Sequence, residues 1–381
     1  MLHDAQQLVA LMEAIPLRCP SLVSMVMNVG SKPELVNPFA SLAARLNHLT
    51  EIKIPSFPDV SKILSALGNR RNLKKLRFDF SNILSQGLST YVSAVTSLEN
   101  PLTEGFPSLE VLELPVQEHT TLCPLFQFDT HCLRSIQIDI GSLDGSVSPK
   151  PLLQSISRAC PSLATFRLGY HHWNFDLRQF KDDVVGLDDL QDILTCSFMT
   201  CLDIVVPICL SLSDSDIRVM AQAWPNLHTL TLCSRSSMEK PENAKDLSLC
   251  SLFLLTRLCA SIRCITLDID TVASRTPSFQ SLSANSTGQV ANLEFLNIGR
   301  YPLESGDEVA VAKLLGQVCE PECMLKYNIR LEDLDDEDDN WLQEMSSRWE
   351  TVRTLTRHFS ELYSTIRSLE LENTSLRSQV K

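Results

Sequence analysis

Cys319 and Cys323 stand four residues apart, and His119 with Cys123 and His131 with Cys132 add imidazole and thiol groups of the kind that hold zinc. A structural zinc site needs four such ligands, usually as two matched pairs. No second Cys or His pair stands near any of these at a matching spacing. His171, His172 and Trp173 form a compact group that could contact a partner, but nothing beside them suggests an activated nucleophile. The run "EDLDDEDD" at 332–339 offers Asp333, Asp335 and Glu337 as calcium-loop ligands, with Glu344 at the twelfth place. Asp338 occupies the sixth place, where the sharp turn of such a loop requires glycine. The signatures GxxxxGK, GxGxxG, HExxH and GxSxG do not occur. These residues predict a protein that is not an enzyme, with no catalytic residue, no metal and no cofactor.

Bulk properties narrow the classes further. The net charge of −13 disfavours nucleic acid as a partner, because binding it depends on neutralising phosphates. The same charge disfavours anionic membrane surfaces, and no apolar run reaches the roughly 18 residues of a membrane span. The 13 cysteines are odd in number, and His3 and Asp4 stand where a secretory leader would be basic. Reduced thiols, mostly buried, in a cytoplasmic or nuclear protein are the expectation.

The elements that carry these residues are announced by a repeat. The pattern L-x-x-L-x-L, with Ile, Met or Phe allowed, occurs ten times, beginning at Leu22, Leu49, Leu73, Leu109, Leu133, Leu163, Met199, Leu227, Ile262 and Leu293. Its last two apolar positions alternate with a polar one, the period of a short strand with one buried face. Between copies run helical faces such as Val60, Ile63, Leu64 and Leu67, or Ile217, Met220, Ala221 and Trp224. Ser213 with Asp216 three residues on is a helix start. Pro225 after Trp224, Pro161 after Cys160 and Pro107 after Phe106 end the preceding segment and feed the next strand. Strand and helix at this period predict an α/β leucine-rich-repeat solenoid, with parallel strands on the concave face, helices on the convex face and an irregular curve. The predicted organisation is a capping helix over 1–21, with Leu8, Leu11, Met12 and Ile15 inward, and a solenoid of about ten units over 22–330. An acidic linker at 331–340 and a C-terminal helix at 341–381 follow.

The stretches "LSDSDIRVMAQAWPNLHTLTL", "NLEFLNIG" and "RWETVRTL" resemble the leucine-rich repeats of F-box proteins, in particular those of mushroom-forming fungi. The resemblance implies a non-enzymatic substrate receptor of a Skp–cullin–F-box ubiquitin ligase, with the substrate held on the repeats. An F-box would require about 40 residues ahead of the repeats, and the first repeat begins at Leu22. No residue can therefore be assigned to the Skp adaptor, and a free-standing repeat scaffold is the alternative expectation. The Asn or Cys that regular repeats place three residues beyond the last Leu is also missing, so a side-chain ladder is not expected.

In such a solenoid the side chains between the buried strand positions face a protein or peptide ligand. They include Lys53, Lys75, Arg77, Glu113, Gln137, Arg167, Asp203 and Thr231. Lys53, Lys75, Arg77 and Arg167 are expected to meet acidic or phosphorylated groups. In the C-terminal helix, Val352, Leu355, Phe359, Leu362, Ile366, Leu369, Asn373, Leu376 and Val380 alternate spacings of three and four. That seam of about four heptads, with Asn373 at an a position, fits a homodimeric coiled coil, a partner helix, or a cap folded on the last repeat.

Overall fold

The computed structural model describes residues 2–28, 32–55, 57, 60–68, 70–79, 105–116, 122, 126, 130–141, 148–170, 180, 183–234, 241, 244–271, 292–299, 303–327 and 339–379. His119, Cys123, His171, His172, Trp173 and the acidic run up to Asp338 lie outside them. The chain forms two compact units, Met1–Met199 and Thr200–Lys381.

In the first unit six strands pair in parallel in chain order: β1 Ser24–Val26, β2 Glu51–Pro55, β3 Lys75–Asp79, β4 Val111–Val116, β5 Ser135–Ile140 and β6 Thr165–Tyr170. The register follows the sequence motif column by column. Met25, Ile52, Leu76, Leu112, Ile136 and Phe166 are lateral neighbours, and all are buried. Each fully buried apolar side chain contributes about 1.5–3 kcal/mol. A strand displaced by one residue would turn the whole column to solvent, so the pattern fixes the register.

The second unit repeats the device with β7 Cys201–Val206, β8 Thr229–Ser234, β9 Cys264–Leu267, β10 Leu293–Asn297 and β11 Cys319–Lys326. Helices precede or follow the strands: α1 Leu2–Arg18, α2 Val36–Arg45, α3 Ser61–Gly68, α4 Lys150–Ala159, α5 Asp214–Ala223, α6 Cys250–Leu258, α7 Glu308–Val318 and α8 Asp339–Gln379. Successive helices pack on one another, α2 on α3 and α5 on α6. This is the α/β repeat solenoid that the motif predicts, ending in a long helix.

The Pro-containing junctions have a common geometry. Trp224 closes α5, its N–H donating to the Met220 carbonyl. The Trp224 carbonyl then accepts from Leu227 N–H at 3.1 Å, and Cys160 accepts from Leu163 at 3.1 Å in the same way. Pro225 and Pro161 sit at the second position of these turns, where a fixed φ near −65° is already correct. Trp224 and Leu227 are fully buried.

A side-chain ladder does exist, at a place the motif does not specify. Cys259 Sγ donates to the Trp224 carbonyl at 3.4 Å and the Ala221 carbonyl at 3.7 Å. Cys196 Sγ donates to the Cys160 carbonyl at 3.7 Å, and Thr130 Oγ1 to the Ala159 carbonyl at 3.4 Å. Each adds a donor to a carbonyl at the end of a neighbouring helix or turn; the Trp224 and Cys160 carbonyls accept it beside the turn bond from Leu227 or Leu163. Burial pushes the Cys160 thiol up to about 12 and the Cys196 and Cys259 thiols to about 11, so all three remain neutral. Five of the twelve described cysteines are buried, six are half-buried and Cys19 is exposed.

The helix start at Ser213 forms a reciprocal cap. Asp216 N–H donates to Ser213 Oγ at 3.3 Å, and Ser213 N–H donates to Asp216 Oδ2 at 2.9 Å. Burial disfavours the Asp216 carboxylate, but hydrogen bonds from the Ser213 N–H and hydroxyl and from Lys245 outweigh it and hold the acid below its ordinary range. A lowered folded-state value contributes stability that is complete above the ordinary Asp range and is lost as pH falls through the folded value. Ser213→Ala should cost about 1 kcal/mol at neutral pH. In Asp216→Asn the stability deficit should shrink as pH is lowered from about 5 towards 2, read by urea titration at each pH. Asp214, one residue into the same helix, accepts from Ser248 N–H at 3.0 Å, Ser248 Oγ at 2.6 Å and Ser251 Oγ at 2.5 Å, and so anchors the start of α6.

Two details depart from expectation, and a third decides between the expected alternatives. Leu11 is exposed in α1, while Ala5 and Met12 are buried and Leu8 and Ile15 half-buried, so the inward stripe is rotated. The strand β11, which carries no L-x-x-L-x-L signal, follows α7 without a loop and completes the edge beside β10. Finally, α8 docks along its own chain. Met345, Trp349, Val352, Thr356 and Ser360 are buried, and the helix packs against α7 and β11.

Candidate functional site

Alternation along each strand leaves one set of side chains on the open face. In the first unit the register sets Glu51, Lys75, Val111, Ser135 and Thr165 side by side. The next column holds Lys53 beside Arg77, then Glu113 beside Gln137 and Arg167. These are the expected face residues, and all are half-buried or exposed. The second unit presents Asp203, Thr231, Thr266, Asn297 and Lys326 in one column. Beside it run Cys201, Thr229, Cys264, Phe295 and Met324.

The first face is not a bare cationic cluster. Arg77 lies between Glu51 at 3.2 Å and Glu113 at 3.1 Å, and Lys75 reaches Glu51 at 4.0 Å. Lys74, one residue outside the column, pairs with Glu110 at 2.8 Å. Such exposed pairs add little stability, but they fix side-chain directions and take up the charge of Arg77. Gln137 donates to Asp139 at 3.1 Å. Arg167 is exposed at the centre of β6 with no ion pair among the described residues. Among the described residues, no carboxylate would have to be displaced from Arg167 by an acidic ligand on this face.

The second face differs in chemistry. Met324 is 56% exposed, and Lys326 Nζ stands 5.5 Å from the Phe295 ring centroid, a cation–π arrangement. Its Thr, Cys, Phe and Met side chains offer weakly polar contact area. Met324 and Lys326 escape a motif-based reading because β11 lacks the Leu spacing. The sequence Met324-Leu325-Lys326 sets two apolar residues side by side and so carries no strand alternation that would have shown them.

The C-terminal helix uses only part of its heptad seam internally. Val352 is buried, and Leu355 and Phe359 are half-buried. Leu362, Ile366, Leu369 and Leu376 are 53%, 40%, 59% and 55% exposed, and Asn373 is exposed too. The open seam therefore spans about two heptads, fewer than the three or four that sustain a coiled coil alone. Further, α8 does not leave the body at Ile366. Arg367 donates to Asn292 Oδ1 at 2.8 Å and to the Gln317 carbonyl at 2.7 Å, at the C-terminal end of α7. Arg367→Ala should remove roughly 1.5 kcal/mol of local docking. The measurement is amide exchange, expected to quicken about tenfold over 361–379 while β7–β9 stay unchanged.

Among the described residues no group of three or more His, Cys, Asp or Glu side chains is placed to hold a metal ion. No helix among them is long and apolar enough to cross a membrane.

The fold and the two open strand faces define a repeat protein of the leucine-rich α/β type. No family model matches the chain, and no curated protein matches it. Among solved structures it is similar to one described as the crystal structure of the Rad7 and Elc1 complex in yeast, at 15% identity and a TM-score of 0.39. That match covers 81% of this chain and 76% of the other. A likeness at that level carries nothing about function.

Proposed function

We propose that this chain is a protein-binding module, acting by recognition rather than catalysis, and that it is the substrate-recognition part of an F-box-type ubiquitin-ligase receptor. The observation that carries the binding reading is the column of outward side chains in register on the open face of the first unit, centred on Lys53, Arg77, Gln137 and Arg167. The ligase role rests on the resemblance of the repeats to those of F-box proteins. The preferred ligand is a protein segment bearing acidic or phosphorylated side chains, with Arg167 as its main cation. Such a protein works in the cytoplasm or nucleus.

Size-exclusion chromatography with light scattering tests the ligase role. Co-elution with a Skp adaptor would support the ligase role; an adaptor that elutes alone would favour the free-standing scaffold reading. The same run reports self-association, the second reading, which the exposed Leu362, Leu369 and Leu376 favour. For the face itself, a panel of acidic and phosphorylated peptides should contain binders that Arg167→Glu weakens at least about tenfold, roughly 1.4 kcal/mol. Binders indifferent to that charge reversal would place recognition elsewhere.

A further inference from the structure

The pairing of β10 with β11 contains an irregularity. Leu293 pairs with Cys319 and Phe295 with Met324. Two residues of strand advance by about 6.7 Å, yet five residues of β11 are accommodated across that step. Residues 320–323, which include Pro321, must therefore bulge out of the ladder. The bulge brings Cys323 back towards Cys319, and the two cysteines line one groove, near enough for each sulfur to act on the other. In a regular strand a Cys-x3-Cys pair would be about 13 Å apart, far beyond disulfide range.

The two thiols are not equivalent. Cys319 is 3% exposed, whereas Cys323 is half-buried. Both line a groove of about 800 Å³ between β11 and α8, together with Thr356, Arg357, His358 and Glu361. The Thr356 hydroxyl is buried in its wall without a hydrogen-bond partner among the described residues. Cys323 is therefore the more accessible of the two thiols in this groove. The neighbouring Cys323 sulfur, with burial, holds the Cys319 thiol protonated well above its ordinary range.

We propose that Cys319 and Cys323 are a reactive thiol pair that is oxidised to a disulfide by small-molecule disulfides of the glutathione class, with Cys323 as the entering thiol and Cys319 as the resolving one. Cys323 gives its proton to solvent, and its sulfur attacks one sulfur of oxidised glutathione. A protein–glutathione disulfide forms, and one glutathione thiolate leaves and takes up a proton. Cys319 then loses its proton and attacks the Cys323 sulfur, and the second glutathione leaves. Two protein thiols are oxidised, and one small disulfide is reduced to two thiols.

Lys313 and Lys326 flank both cysteines and no others, so a single tryptic peptide reports the pair. The reduced full chain is exposed to oxidised glutathione, alkylated under denaturing conditions, digested and weighed. The expected result is that this peptide loses two hydrogens and both alkylation sites before Cys160, Cys196 or Cys259 is modified, and that dithiothreitol reverses the change. In Cys319→Ser the reaction should stop at a glutathione adduct on Cys323, and in Cys323→Ser the peptide should stay unmodified. The wild-type measurement in urea supplies the control that needs no variant: with the bulge gone, the peptide's precedence over the other thiols should vanish. A wild-type peptide that stays reduced, that keeps glutathione on Cys323, or whose precedence survives urea would overturn the proposal.

Discussion

Trp224→Ala should destabilise the second unit by about 3–5 kcal/mol. Trp224 is fully buried at the close of α5. Its carbonyl anchors both the turn to Leu227 and the thiol of Cys259 in the following repeat. The truncation leaves a cavity among close-packed helices that cannot collapse without shifting those hydrogen bonds. In a stacked repeat each unit is supported only by its neighbours, so the loss should reach β7 through β9 together. Urea titration of the full chain measures it, with amide exchange locating it. Trp224→Phe makes a sharper comparison. The indole N–H is buried without an acceptor among the described residues, so phenylalanine removes an unsatisfied donor along with volume. Its cost should be less than half that of alanine. Equal costs would mean that the indole N–H makes a hydrogen bond whose loss, common to both variants, outweighs the lost volume.

Gly316→Leu is the second large effect, and it should separate α8 from α7. A β-carbon at Gly316 would lie 2.5 Å from Phe359 Cβ and 3.1 Å from both the Phe359 carbonyl carbon and the Ser360 nitrogen. Two of those atoms are backbone, which no rotamer change can move. At an exposed helix position glycine to alanine gains about 1 kcal/mol; here even alanine should lose stability, and leucine should cost about 3 kcal/mol. Proteolysis within 328–360 and faster amide exchange over 345–367 are the expected readouts. An undocked helix would expose Val352, Leu355 and Phe359 as well, lengthening the open seam to about four heptads. Gly316→Leu should then self-associate more strongly than wild type by light scattering. If it remains unchanged in both assays, the helices have room that the close contact denies.

The repeat was legible in the sequence because its signal is local and redundant. Leu76, Leu112 and Ile136 each recur two residues before another apolar position, and a parallel ladder needs only that period to be laid down. The cap at Ser213 and the junction at Trp224 were legible for the same reason: a helix start or stop is decided within four residues. The strand β11 was not, since Pro321 and the missing Leu spacing hide a segment that pairs only through a bulge. Of the face residues, position was predictable and electrostatic state was not. Lys75 and Arg77 look like a cationic pair until the register brings Glu51 and Glu113 against them.

By itself, then, the sequence determined the repeat architecture, the columns that are buried, and the absence of familiar catalytic signatures. Tertiary structure decided three things. It directed the first half of the C-terminal seam onto α7, because a glycine at 316 lets two backbones approach where a heptad pattern cannot say which helix is the partner. It turned Cys196 and Cys259 into cross-repeat donors to helix-end carbonyls. And it put Cys319 and Cys323 on either side of a bulge, since the pairing of β11 with the distant β10 decides which residues leave the ladder.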